Sequence, residues 1–395
     1  MIRKIREEVF TDPIYGYIPV NYDVVLKLIN TSAFQRLRRI KQLSGVSMIF
    51  HGAEHSRFSH SLGTYFVATK FLNNKSLNKH LIEREKLLFL VSSLLHDIGH
   101  GPYSHAFEDV FNTNHEQIGA NIIINNKEVR TVLDEVDDEF AMDIKSIILK
   151  EGKFPILEQL TSSELDVDRL DYLLRDAYFT GTPYGNIDVE RLIRVLEIKD
   201  DKVVFRESGI HSIENYLINR YHMYWQVYFH RVCRAYELIL EKIYLRVNDL
   251  LKEGYRFNFN ITPLKNFIKN NNDLDNYLKI DDFYINGLFS SFRDCNDEIL
   301  RVLANDFLNR NIWSYIDYNL EEVNKIKEDL SNDEMKYFTS VKVAYEETYP
   351  TETKSKIYIL LNNNEISSLY KSSNIIQSLS KSGKKEDKKF FYRSK

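Results

Sequence analysis

Apolar positions along this chain fall mostly at helical spacing. Over residues 22–41, Val24, Val25, Leu28, Ile29, Phe34, Leu37 and Ile40 mark one buried helical face. Thr31-Ser32 splits that stretch into two helices, with Ser32 as N-cap of the second. A further helix begins near Ser59 and runs through Leu62, Tyr65, Phe66, Val67 and Phe71. Residues 87–95 form an apolar run, so the helix predicted over 81–98 is buried. Gly99 and Gly101-Pro102 are its stop signals. Residues 106–111 continue helically, and Thr113-Asn114-His115-Glu116 starts another helix with Ile118, Ala120, Ile122 and Ile123 inside. Residues 135–156 open on acids and read as a solvated helical face.

Over residues 162–176, Leu165, Leu170, Leu173 and Leu174 supply a core face, and Ser162 or Ser163 is the cap. Residues 187–196 predict a short helix, 203–205 a strand, and 213–251 a long helical region rich in aromatics. After a polar break at 270–275, residues 283–317 are helical again. Residues 338–345 and 355–361 are rich in β-branched and aromatic residues and read as strands. Asp12 to Tyr17 has turn chemistry, followed by a short extended piece at 18–20. The expected fold is mainly α, with a helical core over 1–250 and a smaller α+β element within a C-terminal region, 251–380. Residues 381–395 carry seven basic and two acidic residues and read as a disordered basic tail.

Composition narrows the class. With 395 residues the chain can bury a large core, and a formal net charge of −4 excludes a globally basic nucleic-acid binder. Cys233 and Cys295 are the only cysteines, which excludes a cysteine-built zinc site and a disulfide framework. The longest apolar run falls far short of the roughly 20 residues of a membrane span. Residues 1–8 are charged and lack a signal-peptide core. A cytoplasmic protein without a membrane partner is expected.

The chemistry gathers around residues 94–105, LLHDIGHGPYSH. His96-Asp97 sits at the end of a core helix, where an unpaired imidazole and carboxylate would be costly and a metal ion would offset the cost. An isolated buried His–Asp hydrogen bond is the plainer alternative on the dipeptide alone. Residues 50–61, FHGAEHSRFSHS, place three histidines and Arg57 before a helix. In the 162–176 helix, Asp168, Tyr172 and Asp176 lie four apart and share a face, with Arg169 beside them. His60, His96, Asp97 and Asp168 form a candidate set of N and O ligands for a divalent metal.

The ordered segments DPIYGYI, FQRLRRIKQLSG, HSRFSHSLG, LLHDIGHGPYSH, NHEQIG and LDVDRLDYLLRD resemble the HD-domain superfamily. They are most similar to its deoxynucleoside triphosphate triphosphohydrolase branch, which includes SAM- and HD-domain dNTPases and bacterial dGTPase-like proteins. The resemblance is strong over residues 10–185 and weaker to 240.

It implies an HD-type phosphohydrolase domain with a divalent ion (Mg, Mn, Fe, Ni or Zn) on His60, His96, Asp97 and Asp168. It implies catalytic roles for His115, for Glu108 as its orienting partner, and for His100 and His105. It implies phosphate contacts from Arg57 and Arg169, and deoxyribose contacts from Gln42, Leu43, Tyr172 and Asp176. Arg231, Arg234 and Tyr236 fall in the region that meets triphosphate or base. The implied reaction hydrolyses a dNTP to deoxynucleoside and inorganic triphosphate, in a homo-oligomer (dimer or tetramer) with a nucleotide activator. Two alternatives stay open. One is an HD site acting on another nucleotide, as a monophosphatase or phosphodiesterase. The other is a nucleic-acid-binding protein with a vestigial site and a basic tail.

Overall fold

A computed structural model describes residues 3–346, 357–381 and 385–394. The chain opens with an antiparallel hairpin of β1 (Lys4–Asp12) and β2 (Gly16–Tyr22). Asp12 Oδ1 accepts the backbone N–H groups of Ile14 and Tyr15, which closes the turn. Strand β1 escaped the sequence pattern because its residues are charged and almost all exposed or half-buried. In the next segment Thr31, not Ser32, is the cap: its hydroxyl accepts the Phe34 N–H at 3.4 Å.

Three helices form the centre of the first core. The Arg57–Leu72 helix, capped by Ser56, packs on both the Glu83–Leu95 helix and the Val167–Thr180 helix. Every residue from Leu87 to Leu95 is buried, and each apolar one contributes about 1.5–3 kcal/mol. The cap of the Val167–Thr180 helix is Asp166 rather than Ser162 or Ser163, accepting the Arg169 N–H at 2.7 Å. The expected solvated face is instead a packed helix, Phe140–Leu149, with Phe140, Ile144 and Ile147 fully buried. Asp143 is tolerated there because Arg84 at 2.8 Å and Lys153 at 2.5 Å neutralise it.

A second core gathers on the Arg231–Lys252 helix with the Asp282–Phe292 and Glu298–Leu308 helices. The cores exchange segments. Tyr103, Ala106, Phe107 and Phe111 leave the His96 region to pack in the second core, while Ile357, Ile359, Leu369 and Ile376 return to the first. The long aromatic-rich region breaks into the Ile210–Met223 helix, a π turn at Tyr224–Tyr228 and the Arg231–Lys252 helix.

Strands β3 (Leu196–Lys199), β4 (Lys202–Arg206), β7 (Tyr358–Leu360) and β8 (Ile366–Ser368) form one sheet in that order, with β4 and β7 parallel. Residues 355–356 of the predicted strand lie outside the described residues. Strands β5 (Ser314–Asp317), β9 (Lys385–Tyr392) and β6 (Thr339–Glu346) form an antiparallel sheet. Residues 314–317 are therefore strand, not helix.

Over residues 385–392 the expected disordered tail is corrected by β9, which lies at the centre of that sheet with Phe390 and Phe391 fully buried, while residues 382–384 and 395 lie outside the described residues. Two of its charges are paired, Lys389 with Asp317 and Asp387 with Arg234, so counting basic residues misjudged it. Among the described residues no helix is long and apolar enough to cross a membrane.

Candidate active site

His60 projects from the first turn of the Arg57–Leu72 helix, His96 and Asp97 from the end of the Glu83–Leu95 helix, and Asp168 from the first turn of the Val167–Thr180 helix. Their polar atoms converge. His60 Nε2 lies 3.2 Å from His96 Nε2, 3.6 Å from Asp97 Oδ2 and 3.1 Å from Asp168 Oδ1. His96 Nε2 lies 3.3 Å from Asp97 Oδ1 and 3.5 Å from Asp168 Oδ1. Ligand atoms about 2.1 Å from one ion at 90–109° stand about 3.0–3.4 Å apart, so this spacing fits a shared divalent cation. His60, His96 and Asp97 form one close group that could hold a metal ion, and Asp168 stands against both histidines.

The outer nitrogen of each imidazole is also committed. His60 Nδ1 faces Asp171 Oδ2 at 2.8 Å, and His96 Nδ1 faces the Ser93 carbonyl at 2.8 Å. Protonated there, both rings turn an Nε2 lone pair inward. Asp171 is fully buried and takes two hydrogen bonds from Arg175, at 2.9 and 3.0 Å, and one from Tyr15 at 2.8 Å. Arg175 also reaches Asp12 at 2.9 Å. Burial would raise the Asp171 carboxyl, but Arg175 and His60 outweigh it and hold it at about 2. Burial would lower His60, yet Asp168, Asp171 and Asp97 outweigh it and raise it to about 10 with no other cation present. The cluster therefore demands positive charge at its centre, and metal binding there competes with protons.

Beside this cluster, Arg57 donates to Asp97 and, at 3.0 and 2.6 Å, to the Ser104 hydroxyl. Tyr103 and Ser104 have φ of +56° and +48°, a strained backbone of the kind that persists at working sites. His100 Nε2 lies 3.2 Å from Asp97 Oδ1. Burial, with the Arg57 and His115 charges, holds His100 well below its ordinary range. Its ring stacks on His115 at 3.8 Å between centroids. Glu108 Oε1 accepts both the backbone N–H of His115, at 2.6 Å, and its Nδ1, at 2.8 Å. Gly99 permits this meeting, since a Cβ there would stand 2.1 Å from the His115 carbonyl and 2.3 Å from the Gly119 nitrogen.

These groups open on a cavity of about 510 Å³, a size suited to a small molecule. Gln42, Leu43, Arg57, Asp97, His100, His115, Asp168, Tyr172 and Asp176 all line it. Glu108 stands behind His115. The His105 side chain lies outside the described residues. Arg169 is not in the lining, and its guanidinium turns to Asp166 and Glu164, at 3.4 and 3.8 Å. Of the three residues expected near the triphosphate or base, Arg234 reaches the lining. Arg231 stacks over Tyr315, and the Tyr236 hydroxyl donates to the Phe307 carbonyl.

The sequence reading missed Asp171, Arg175 and Tyr15 behind His60. The i,i+4 spacing of Asp171 and Arg175 was the available signal. It also assigned nothing to His55, and could not place Lys342, Val343 and Ala344 of β6, which line the cavity together with Arg234 and Glu237.

A model of the HD domain matches residues 57–176, and one of the HD-associated region matches 187–254. The chain is 39% identical to the uncharacterized protein YwfO of Bacillus subtilis, over 98% of this chain and 92% of that one. The chain belongs to the HD-domain family. This HD-domain phosphohydrolase is also 27% identical to the deoxynucleoside triphosphate triphosphohydrolase SAMHD1 of Homo sapiens, over 78% of this chain and 55% of that protein. The solved structure of a phosphohydrolase from Bacteroides thetaiotaomicron superposes with a TM-score of 0.86 at 30% identity, covering 98% of this chain and 100% of that one.

Proposed function

We propose that this protein hydrolyses deoxynucleoside triphosphates to deoxynucleoside and inorganic triphosphate. The observation that carries the reading is the order of groups along one cavity. Asp97, His100, His115 and Asp168 line it, and Tyr172 and Asp176 line it one and two turns further along the Val167–Thr180 helix. A nucleotide laid along it meets cationic groups with its phosphates and an aromatic, carboxylate-bearing wall with its sugar.

A divalent ion bound by the four ligands supplies water activation and charge neutralisation at phosphorus. Arg57 adds charge at the α-phosphate. His115, oriented by Glu108, donates a proton to the departing sugar oxygen, a contribution of roughly 10²–10⁴ in rate. Loss of that oxygen releases the triphosphate intact. The Tyr172 ring packs against C2′ and leaves no room for a 2′-hydroxyl, while Asp176 and Gln42 take the 3′-hydroxyl. Arg169, held by Asp166 and Glu164, is not needed in this pose. Relatives named as dNTP triphosphohydrolases support the substrate class.

The test is product analysis on dGTP, dATP and their ribo forms with a series of divalent metals. Triphosphate as first product, with ribonucleotides poor, is the expected result. Pyrophosphate or single phosphate released first overturns the cleavage site. We also propose a dimer or tetramer with a nucleotide activator, and a fully active monomer by light scattering at micromolar concentration would contradict the assembly.

A further inference from the structure

Asp176 lines the cavity yet is only 1% exposed. Each of its oxygens has one protein partner. His55 Nε2 lies 2.8 Å from Oδ1, and the Tyr228 hydroxyl donates to Oδ2 at 2.6 Å. His55 Nδ1 is buried with no hydrogen-bond partner among the described residues. With Nδ1 unpartnered, Nε2 is the nitrogen that carries a proton toward Asp176. Burial and the Asp176 charge push the Tyr228 phenol well above its ordinary range, so it remains a donor. A carboxylate has roughly four acceptor sites, so two stay available beyond these partners.

Both donors are aimed by features of their own. Tyr228 ends the Tyr224–Tyr228 π turn, which brings Tyr224, Tyr228 and Phe229 to the cavity wall; such turns recur at functional sites. The His55 ring stacks on Phe179 at 4.6 Å, and its carbonyl accepts the Gln42 N–H at 2.9 Å. One residue therefore sets both Asp176 and Gln42. The Gln42 Oε1 is itself buried without a partner. No arginine or lysine is paired with Asp176 in the described ion pairs, so its negative charge is left for a hydroxyl donor and repels the phosphate end of a nucleotide.

We infer that His55 and Tyr228 are positioning residues that aim the Asp176 carboxylate at the 3′-hydroxyl of the substrate sugar. The inference rests on the dNTP reading. The experiment measures kcat/KM on dGTP and on its 2′,3′-dideoxy counterpart in wild type, Tyr228→Phe, His55→Leu and His55→Gln. Wild type is expected to prefer dGTP by about tenfold or more. Tyr228→Phe and His55→Leu should each lower the dGTP value about tenfold and leave the dideoxy value within about twofold. His55→Gln, which keeps a donor, should retain most of the preference. Equal losses on both nucleotides, in Tyr228→Phe alone if His55→Leu does not fold, would mark a merely structural role and overturn the inference. A wild type that hydrolyses neither nucleotide overturns the proposed function instead.

Discussion

The two ends of the cavity keep their carboxylates in different company. At the histidine end, Asp97 touches Arg57, and Asp171 is clamped by Arg175. At the aromatic end, Asp176 is held by His55 and Tyr228. A fourth carboxylate, Asp282, receives among the described residues only the backbone N–H groups of Lys41 and Tyr103, at 2.8 and 3.1 Å. Burial pushes Asp282 up to about 6 despite those donors, whereas the arginine holds the equally buried Asp171 at about 2. The contrast shows what each partner does. A cation keeps a buried carboxylate ionised whatever approaches it, which suits a group that must orient a ligand histidine. Neutral backbone donors alone leave a buried carboxylate easier to protonate.

The sharpest break in this comparison is made at the histidine end. Asp168→Ala should abolish turnover, by about 10³ or more, and lose the bound metal, read by elemental analysis of the purified protein. His115→Ala should lose roughly 10²–10⁴ in kcat with the metal retained. Metal loss in His115→Ala would show that His115 is itself a ligand, which its place with Asp97 and His100 in a second close group makes worth testing.

Next in size is the clamp behind His60. Arg175→Met leaves Asp171 and Asp12 buried without their cation, and should cost about 3–5 kcal/mol in denaturant unfolding. A cost below about 1 kcal/mol would mean that the charge is not needed there.

The smallest effect tests the carboxylate held by backbone alone. Asp282 binds its proton more tightly folded, with a value of about 6, than unfolded, with about 3.9. Between about pH 4 and pH 6 the native state therefore holds more protons than the unfolded state. Stability should fall as pH rises through that window, by on the order of 2–3 kcal/mol, and level off above it. Denaturation curves for wild type and Asp282→Asn over pH 4–7 check the sign. A wild-type slope no steeper than the variant's would contradict it.

Much of the helical core and most of the candidate site were legible in the chain. Apolar spacing located the Arg57–Leu72, Glu83–Leu95 and Val167–Thr180 helices, because each buries one face against the others. The candidate ligands stood out because each sits near a helix end within a segment that resembles the HD-domain superfamily. β1 and β9 were not, since a charged strand has no apolar run to reveal it, and its stability comes from ladder partners distant in sequence. The solvated reading of residues 135–156 failed for a related reason: Asp143 looked exposed until Arg84 and Lys153 were brought to it.

The sequence by itself determined which residue types stand at which helix ends, and its resemblance to the HD-domain superfamily singled out the candidate metal ligands and the His115–Glu108 pair. Only the tertiary structure decided who stands behind them. Asp171, Arg175, Tyr15 and Asp12 meet because the hairpin folds against the Val167–Thr180 helix. His55 and Tyr228 meet at Asp176 across 121 and 52 residues of chain. Period and propensity act over one or two helical turns, whereas the partner that a buried charge requires is chosen by packing.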